Sequence, residues 1–217
     1  MLFVLRDWFS GKEFIVASIC FIIAFILSTS VHEFAHAYSA VKMGDDTPRY
    51  MGRYTLNPLA HIDPIGFLCS MFFFFGWAKP VQVNPIKFKK PRKAMAIVSS
   101  AGVIANLILA FFSCGVLMAI LRFAKQINDF VMYIIILLDI LFSLNISLAV
   151  FNFLPFAPLD GFNFIDALTK HDNKVVNFLR KYGYLILLLI LVIFSDFLSM
   201  LISWISWPIL SFWGLIF

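Results

Sequence analysis

Three long apolar stretches organise this chain, and each one predicts a membrane-spanning helix. They cover residues from about 14–43, 94–121 and 130–159. About 20 consecutive apolar residues are enough to cross the hydrocarbon core of a bilayer, so each stretch is long enough. The third stretch contains Asp139, and Pro155 and Pro158 predict that its last turns are broken or kinked.

The remaining apolar tracts are less regular. Residues 184–217 contain Asp196 and Pro208 and fit either one tilted span or two short ones. The run at 67–75 is too short to cross and is more typical of a re-entrant or half-inserted segment. Residues 49–56 mix aromatic and β-branched residues with glycine, which predicts a short strand or hairpin.

Composition places the chain in a membrane. Hydrophobic residues make up 62% of it, charged residues only 13%, and the mean hydropathy is +0.93. These values exclude a soluble globular domain. We therefore expect an all-α polytopic membrane protein: a bundle of about four to six transmembrane helices with a short membrane-associated β-hairpin or re-entrant loop.

The chain contains no internal repeat or linker, so we expect one domain over 1–217. Its core is expected over about 14–165, and its C-terminal transmembrane segment or segments over about 183–217. Residues 1–13 mix charges with Trp8 and are typical of an interfacial segment, because no cleavage site for a signal peptide follows. The three cysteines lack C-x-x-C spacing, which argues against a thiolate zinc site.

Charge adds little to this interpretation. The net charge of +5 comes from basic residues in loops beside apolar spans. Membrane topology alone accounts for that distribution, so nucleic acid is not an expected partner.

The main candidate chemistry lies in the first span, in the motif His32-Glu33-Phe34-Ala35-His36. Residues four apart lie on one face of a helix, so two imidazoles can bind one Zn²⁺ while Glu33 acts as general base. The alternative is a pair of hydrogen-bonded core histidines. Two imidazoles and a carboxylate in hydrocarbon cost several kcal/mol unless something such as a metal compensates them, which favours chemistry.

A catalytic zinc usually has three protein ligands, so a third one is needed. The candidates are His61, His171 and the acidic residues near the spans. His171 lies in a polar connection and is most simply solvated. Asp160 is the better candidate, because it is expected to end a membrane helix beside backbone-loosening prolines and Gly161. An ordinary Asp-Gly turn explains Asp160 equally well from composition alone.

Topology offers a test of this assignment. If His36 and Asp160 share one metal, the inner ends of the first and third spans lie on the same face, and the 67–75 run cannot cross completely. That face carries the densest basic cluster, at 79–93. The positive-inside rule then puts the site near the cytoplasmic surface of the cell membrane, with the N-terminus outside.

With the zinc motif on its first span and Leu159-Asp160-Gly161 further on, the chain resembles the site-2 protease family of intramembrane zinc metalloproteases. The resemblance covers roughly 14–165 and is to the compact bacterial branch without a PDZ domain. Val103 and Phe162 depart from the family pattern, and neither is a ligand or the base. The other stretches that carry it are Gly44-Asp45, Asn57-Pro58-Leu59-Ala60-His61-Ile62-Asp63-Pro64, Gly76-Trp77-Ala78-Lys79-Pro80-Val81, Ser100-Ala101-Gly102 with Asn106, and Asn152 with Pro155 and Pro158.

This resemblance implies cleavage of transmembrane proteins or peptides, such as transcription-factor precursors, anti-sigma factors or signal-peptide remnants. It implies one catalytic Zn²⁺, and it implies that the 57–66 region, including Asn57, forms a membrane-embedded loop or hairpin near the cleft. Further candidates for substrate binding are His61, Asn106 and Asn152. A capped turn for His61 and interhelical hydrogen bonds for the two asparagines are the simpler explanations.

Two rival functions share these features. A divalent-metal transporter would also place His and Asp inside a membrane, but the outer halves of the spans offer few polar groups. A non-proteolytic scaffold with a structural metal would have no use for Glu33. The lipid bilayer is an expected partner, and a regulatory membrane protein or a homo-oligomer stays open. Asp139 is expected to be neutral or hydrogen-bonded within the bundle.

Overall fold

A computed structural model describes residues 11–73, 76–169, 173–193 and 195–217. His171 and most of the predicted interfacial segment at 1–13 lie outside the described residues. The described part is helical, with two 3₁₀ turns at Pro58–Ala60 and Pro85–Lys87. Its α-helices are α1 Lys12–Lys42, α2 Thr47–Tyr50, α3 Pro64–Phe73, α4 Pro91–Phe123, α5 Asp129–Asn152, α6 Asp160–Leu168, α7 Lys174–Ile193 and α8 Ser195–Ile216.

Four helices of the described part are long and apolar enough to cross a membrane. They are α1, α4, α5 and, within α8, Asp196–Ile216. This confirms a multi-pass helical membrane protein at the lower end of the predicted range. The C-terminal tract forms the two helices α7 and α8, and only α8 is among the four candidate spans.

The helices pack around α4, which contacts α1, α5, α6 and α8. Between α4 and α5 the core contains Ala110, Cys114 and Ile146, all with no exposed surface, and Leu201 and Trp213 of α8 pack against it. Small residues such as Ala110 let helix backbones approach closely inside a membrane. A buried hydrogen bond of 2.8 Å from Asn145 Nδ2 to Ser28 Oγ joins α5 to α1. Together these contacts fix the three helices that surround the candidate site.

The β-hairpin predicted over 49–56 is wrong. That stretch begins in the short helix α2, which Pro48 helps to start, and continues through a turn in which Gly52 has φ +67°. The described residues contain no β-strand, and their only strand-like pairing is an isolated antiparallel bridge between Ile62 and Ala78. A re-entrant loop is not supported either, because α3 is a ten-residue helix over the described part of the 67–75 run.

The third span is shorter than predicted. Helix α5 ends at Asn152, and a turn leads to Leu159, which caps the new helix α6. Pro155 and Pro158 lie in this turn, where their missing N–H groups would interrupt a helix. Asp160 therefore opens a short helix instead of ending a membrane span, which corrects the expectation from the sequence.

Candidate metal centre

The two histidines of the motif converge as their spacing predicts. His32 and His36 lie one turn apart on α1, and their Nε2 atoms are 3.0 Å apart. Both residues are only 8% exposed. Two imidazole nitrogens that face each other in a buried site need a shared proton or a shared cation.

The third member of the cluster arrives from α6. Asp160 Oδ2 lies 3.1 Å from the Nε2 atom of His32 and 3.1 Å from that of His36. In tetrahedral zinc, ligand atoms about 2.0–2.1 Å from the ion lie roughly 3.3 Å from one another. The donor set and its spacing therefore fit one zinc ion. Asp160 as the third ligand nevertheless stays a prediction.

Hydrogen bonding prepares His36 for this role. Its Nδ1 lies 2.8 Å from the backbone carbonyl oxygen of Val98 on α4, so Nδ1 carries the proton and donates it to that oxygen. The lone pair is then on Nε2, which points at the cluster. The Nδ1 atom of His32 is buried and has no partner among the described residues.

Gly102 lets α4 approach the imidazoles. A Cβ atom at this position would lie 2.4 Å from Nε2 of His36 and 2.5 Å from Cε1 of His32. These distances are far below a normal contact, so every larger residue would push α4 away from the cluster. Gly102 therefore has a steric function at the metal centre.

The position of Asp160 depends on how α6 is held. A Cβ atom on the following Gly161 would lie 2.2 Å from the carbonyl oxygen of Phe153, so only glycine permits this tight return from α5. At the other end of α6, Arg92 of α4 donates to the carbonyls of Ala167 and Leu168 at 3.1 and 3.0 Å. Such donors satisfy the free carbonyls of a helix C-terminus.

The two neighbouring imidazoles favour the ionised form of Asp160. Burial by itself would raise the pKa of Asp160, but His36 and His32 beside it hold that pKa below the usual range. An ionised carboxylate is the form that binds metal.

Glu33 is buried beside the cluster with 8% of its surface exposed. Its Oε2 atom accepts a hydrogen bond of 2.9 Å from the backbone N–H of Val81. Val81 belongs to a non-helical segment, residues 76–84, which we call the roof. The roof brings a backbone donor to the carboxylate that sequence analysis assigns as general base.

The cluster opens into a cavity of about 500 Å³. His32, Glu33, His36 and Asp160 all line it, so the candidate ligands and base face the same space. Its wall is mostly apolar and includes Phe25, Trp77, Pro80, Leu148, Phe151 and Leu187. An apolar wall with a few converging polar groups is the usual form of a ligand-binding site.

The four predicted substrate-binding residues lie in different places. Asn152 lines the cavity, and its Nδ2 donates to the carbonyl of Leu148 at 3.0 Å. Asn57 is exposed and caps the 3₁₀ turn at Pro58–Ala60. His61 is fully buried, and its Nε2 lies 2.7 Å from the carbonyl oxygen of Thr55. Asn106 is fully buried, and its side-chain amide has no hydrogen-bond partner in the described structure. Their roles stay predictions.

Asp139 does not lie inside the bundle. Its side chain is exposed on α5, whereas Asn145 on the same helix is fully buried. The expectation of a hydrogen bond within the bundle is therefore wrong for this residue, while its neutral form stays a prediction.

Two residues that contribute to the centre could not be predicted from the sequence. Val98 and Val81 act through backbone atoms, which every residue has, so their side chains give no signal. Gly102 could be suspected from the small residues around it, but only the approach of α4 to the imidazoles assigns it a function.

Two imidazoles, a carboxylate and a neighbouring glutamate in one buried cavity are characteristic of a metal-dependent hydrolase. The chain belongs to Peptidase family M50, whose family model matches residues 20–139. That range contains His32, Glu33 and His36 and stops before Asp160.

Two curated proteins are similar over most of the chain. "Putative zinc metalloprotease YwhC" of Bacillus subtilis is 38% identical over 192 residues, which is 88% of this chain and 85% of that protein. "Putative zinc metalloprotease Rip2" of Mycolicibacterium smegmatis is 26% identical over 198 residues, 87% of this chain and 73% of that protein. No solved structure gives a significant match. The resemblance to site-2 zinc metalloproteases is thereby confirmed, and the transporter and scaffold alternatives are not favoured.

Proposed function

We propose that this protein is an intramembrane zinc endopeptidase that hydrolyses peptide bonds of membrane-spanning substrates. The observation that carries the proposal is the convergence of His32, His36 and Asp160, whose candidate ligand atoms lie 3.0 to 3.1 Å from one another, beside Glu33 and inside one cavity. Membership of the M50 family supports the same reaction.

Each polar residue has a role in this reaction. His32, His36 and Asp160 hold the zinc ion, which when bound supplies a Lewis acid and a water of lowered pKa. Glu33 takes the proton from the attacking water and returns it to the leaving amine. Asn152 lines the same cavity and is suited to hydrogen-bond the substrate backbone.

The size of the cavity limits the form of the substrate. The cavity of about 500 Å³ is bounded by the roof and by bulky apolar side chains, and a helix with its side chains is 10–12 Å wide. We therefore expect a locally unwound segment of the substrate, and not an intact transmembrane helix, to reach the cluster. Unwinding also frees the scissile carbonyl from its hydrogen bond within the helix.

Charge distribution supports an orientation. The basic residues of 79–93 lie before α4 or in its first turn, on the side where His36, Gly102 and Asp160 lie, whereas Arg122 and Lys125 lie at or just beyond its far end. The positive-inside rule then favours a cell-membrane protein with its site toward the cytoplasm. Its partners are a transmembrane substrate and, as open alternatives, a regulatory membrane protein or a second copy.

The decisive experiment is a cleavage assay in liposomes with candidate single-span substrates and product detection by mass spectrometry. Glu33→Gln keeps the size of the side chain and removes the base. We expect cleavage to fall at least about a hundredfold, as expected when a general base is lost, with one zinc still bound. Glu13→Gln is the matched control, because Glu13 is exposed at the start of α1 and should change neither property.

Full cleavage by the Glu33→Gln protein would refute the mechanism. Zinc flux into liposomes without cleavage of any substrate by the wild-type protein would replace the protease with a transporter.

A further inference from the structure

The roof segment, residues 76–84, is fastened to the rest of the protein at two points. Near its start, the N–H of Lys79 donates to the carbonyl oxygen of His61 at 2.7 Å, beside the bridge between Ile62 and Ala78. At its end, the N–H of Asn84 donates to Oδ2 of Asp45 at 2.6 Å. The two residues that accept these hydrogen bonds, His61 through its backbone and Asp45 through its side chain, are both fully buried.

Between these two anchors lies the contact with the site. The N–H of Val81 donates to Oε2 of Glu33 at 2.9 Å, and this is the only hydrogen bond that the described residues give to that carboxylate. Pro80 precedes Val81 and fixes its own φ, which stiffens the roof where it meets Glu33. The amide therefore meets Glu33 from a backbone that is held on both sides.

We propose that the backbone amide of Val81 is a positioning group for Glu33. This inference rests on the proposed function, in which Glu33 is the general base. A glutamate side chain has several rotatable bonds, and a base must be held in place to act on a particular water. The hydrogen bond holds Oε2 and leaves Oε1 as the oxygen that exchanges the proton.

The strength of the contact suits this role. A hydrogen bond to an ionised carboxylate is roughly twice as strong as one between neutral groups, and water cannot easily replace it where Glu33 is only 8% exposed. A backbone donor also adds no acidic proton of its own that could compete with the reaction.

The direct test replaces the amide with an ester. Valine at position 81 is exchanged for its α-hydroxy analogue by nonsense suppression in cell-free translation of the full chain into liposomes. We expect kcat to fall about tenfold or more while KM stays within about twofold and zinc content stays at one per chain. The same exchange at Gln82 is the matched control, since Gln82 is exposed and its amide donates no hydrogen bond within the described residues.

Val81→Ala completes the set because it shortens the side chain and keeps the N–H. It should retain clearly more kcat than the ester variant. If the ester protein does not assemble, Pro80→Gly serves as the second variant, since it loosens the roof and keeps every amide. We expect it to lower kcat several-fold with unchanged zinc content.

Wild-type kcat in the ester or Pro80→Gly protein would overturn the positioning role, and so would loss of zinc together with activity. Either result leaves the proposed protease function intact if the wild-type protein cleaves and Glu33→Gln does not. Absence of any cleavage by the wild-type protein would count against the proposed function instead.

Discussion

At the scale of single residues, the metal centre depends on more than its candidate ligands. It also needs residues that leave room for the imidazoles and residues that orient them. Gly102 supplies the space, because its missing side chain is what lets α4 touch the imidazoles. The carbonyl of Val98 orients the His36 ring, because it accepts a hydrogen bond from Nδ1 and leaves Nε2 for the metal. Neither residue has a side chain that can bind zinc.

The role of Gly102 is tested by Gly102→Ala. The added methyl group would lie 2.4 Å from His36 Nε2, so α4 and the imidazoles must separate. We expect zinc affinity to fall about 10- to 100-fold, as for other changes that disturb the orientation of a ligand, measured by competition with a chelator. Gly214→Ala is the control, since nothing lies within 4 Å of its added Cβ. Equal affinities in both variants would contradict the steric argument.

The role of Asp160 as third ligand predicts loss of metal on Asp160→Ala. Zinc per chain should drop well below one after dialysis, because two imidazoles alone hold zinc weakly. Asp166→Ala on the same helix is the control, since the Asp166 side chain is 42% exposed and pairs with Arg180 away from the cluster. Unchanged zinc stoichiometry and affinity would remove Asp160 from the site.

At the scale of elements, the connections after α1 decide where the roof lies. Asp45 is fully buried just beyond the end of α1, and its carboxylate accepts hydrogen bonds from both the N–H and the hydroxyl of Thr47 and from the N–H of Asn84. One side chain thus ties the motif helix to the segment that contacts Glu33. Burial would raise the pKa of Asp45, but these hydrogen bonds and nearby Lys87 lower it below its usual range.

Asp45 should therefore contribute stability that depends on pH. Because its pKa is depressed in the folded state, the contribution is present above the ordinary aspartate value of about 4 and is lost as the pH falls through the folded-state pKa. We expect Asp45→Asn to cost about 1–3 kcal/mol at neutral pH and to flatten this acid-side decline, measured by thermal unfolding in detergent. The neighbouring Asp46, whose side chain is 45% exposed, provides the control variant Asp46→Asn. A decline of the same size in the Asp45→Asn protein would show that another group causes it.

At the scale of the whole molecule, the site lies near one end of three of the four candidate spans. His36 is near the end of α1, Gly102 in the first half of α4, and Asp160 shortly after the end of α5. The site is therefore off-centre in depth, which suits a reaction that consumes water inside a hydrophobic protein.

The proposed orientation predicts the sidedness of two loops. In a background with Cys20, Cys69 and Cys114 replaced by alanine, Lys90→Cys should react with a membrane-impermeant maleimide only from the cytoplasmic face. Ile127→Cys, in the exposed connection between α4 and α5, should react only from the opposite face. Labelling is compared in spheroplasts and inverted vesicles. The reverse pattern would turn the site toward the outside.

The sequence by itself determined the features that arise within one segment. Hydropathy alone predicted α1, α4 and α5, because crossing a bilayer demands a long apolar run. The four-residue spacing of His32 and His36 put both rings on one face, because a helix repeats every 3.6 residues. Prolines and glycines predicted the breaks between helices, although the strand expected at 49–56 failed because Pro48 starts a helical turn there.

Tertiary structure decided everything that joins distant segments. His36 and Asp160 are 124 positions apart, and composition alone left Asp160 undecided between a ligand and a turn. The contact of Val81 with Glu33 spans 48 positions and uses a backbone amide, which has no signature in the side chains. Local sequence patterns determine helices because the hydrogen bonds of a helix are local. A catalytic centre forms only where packing brings residues of separate helices within a few ångströms of one another.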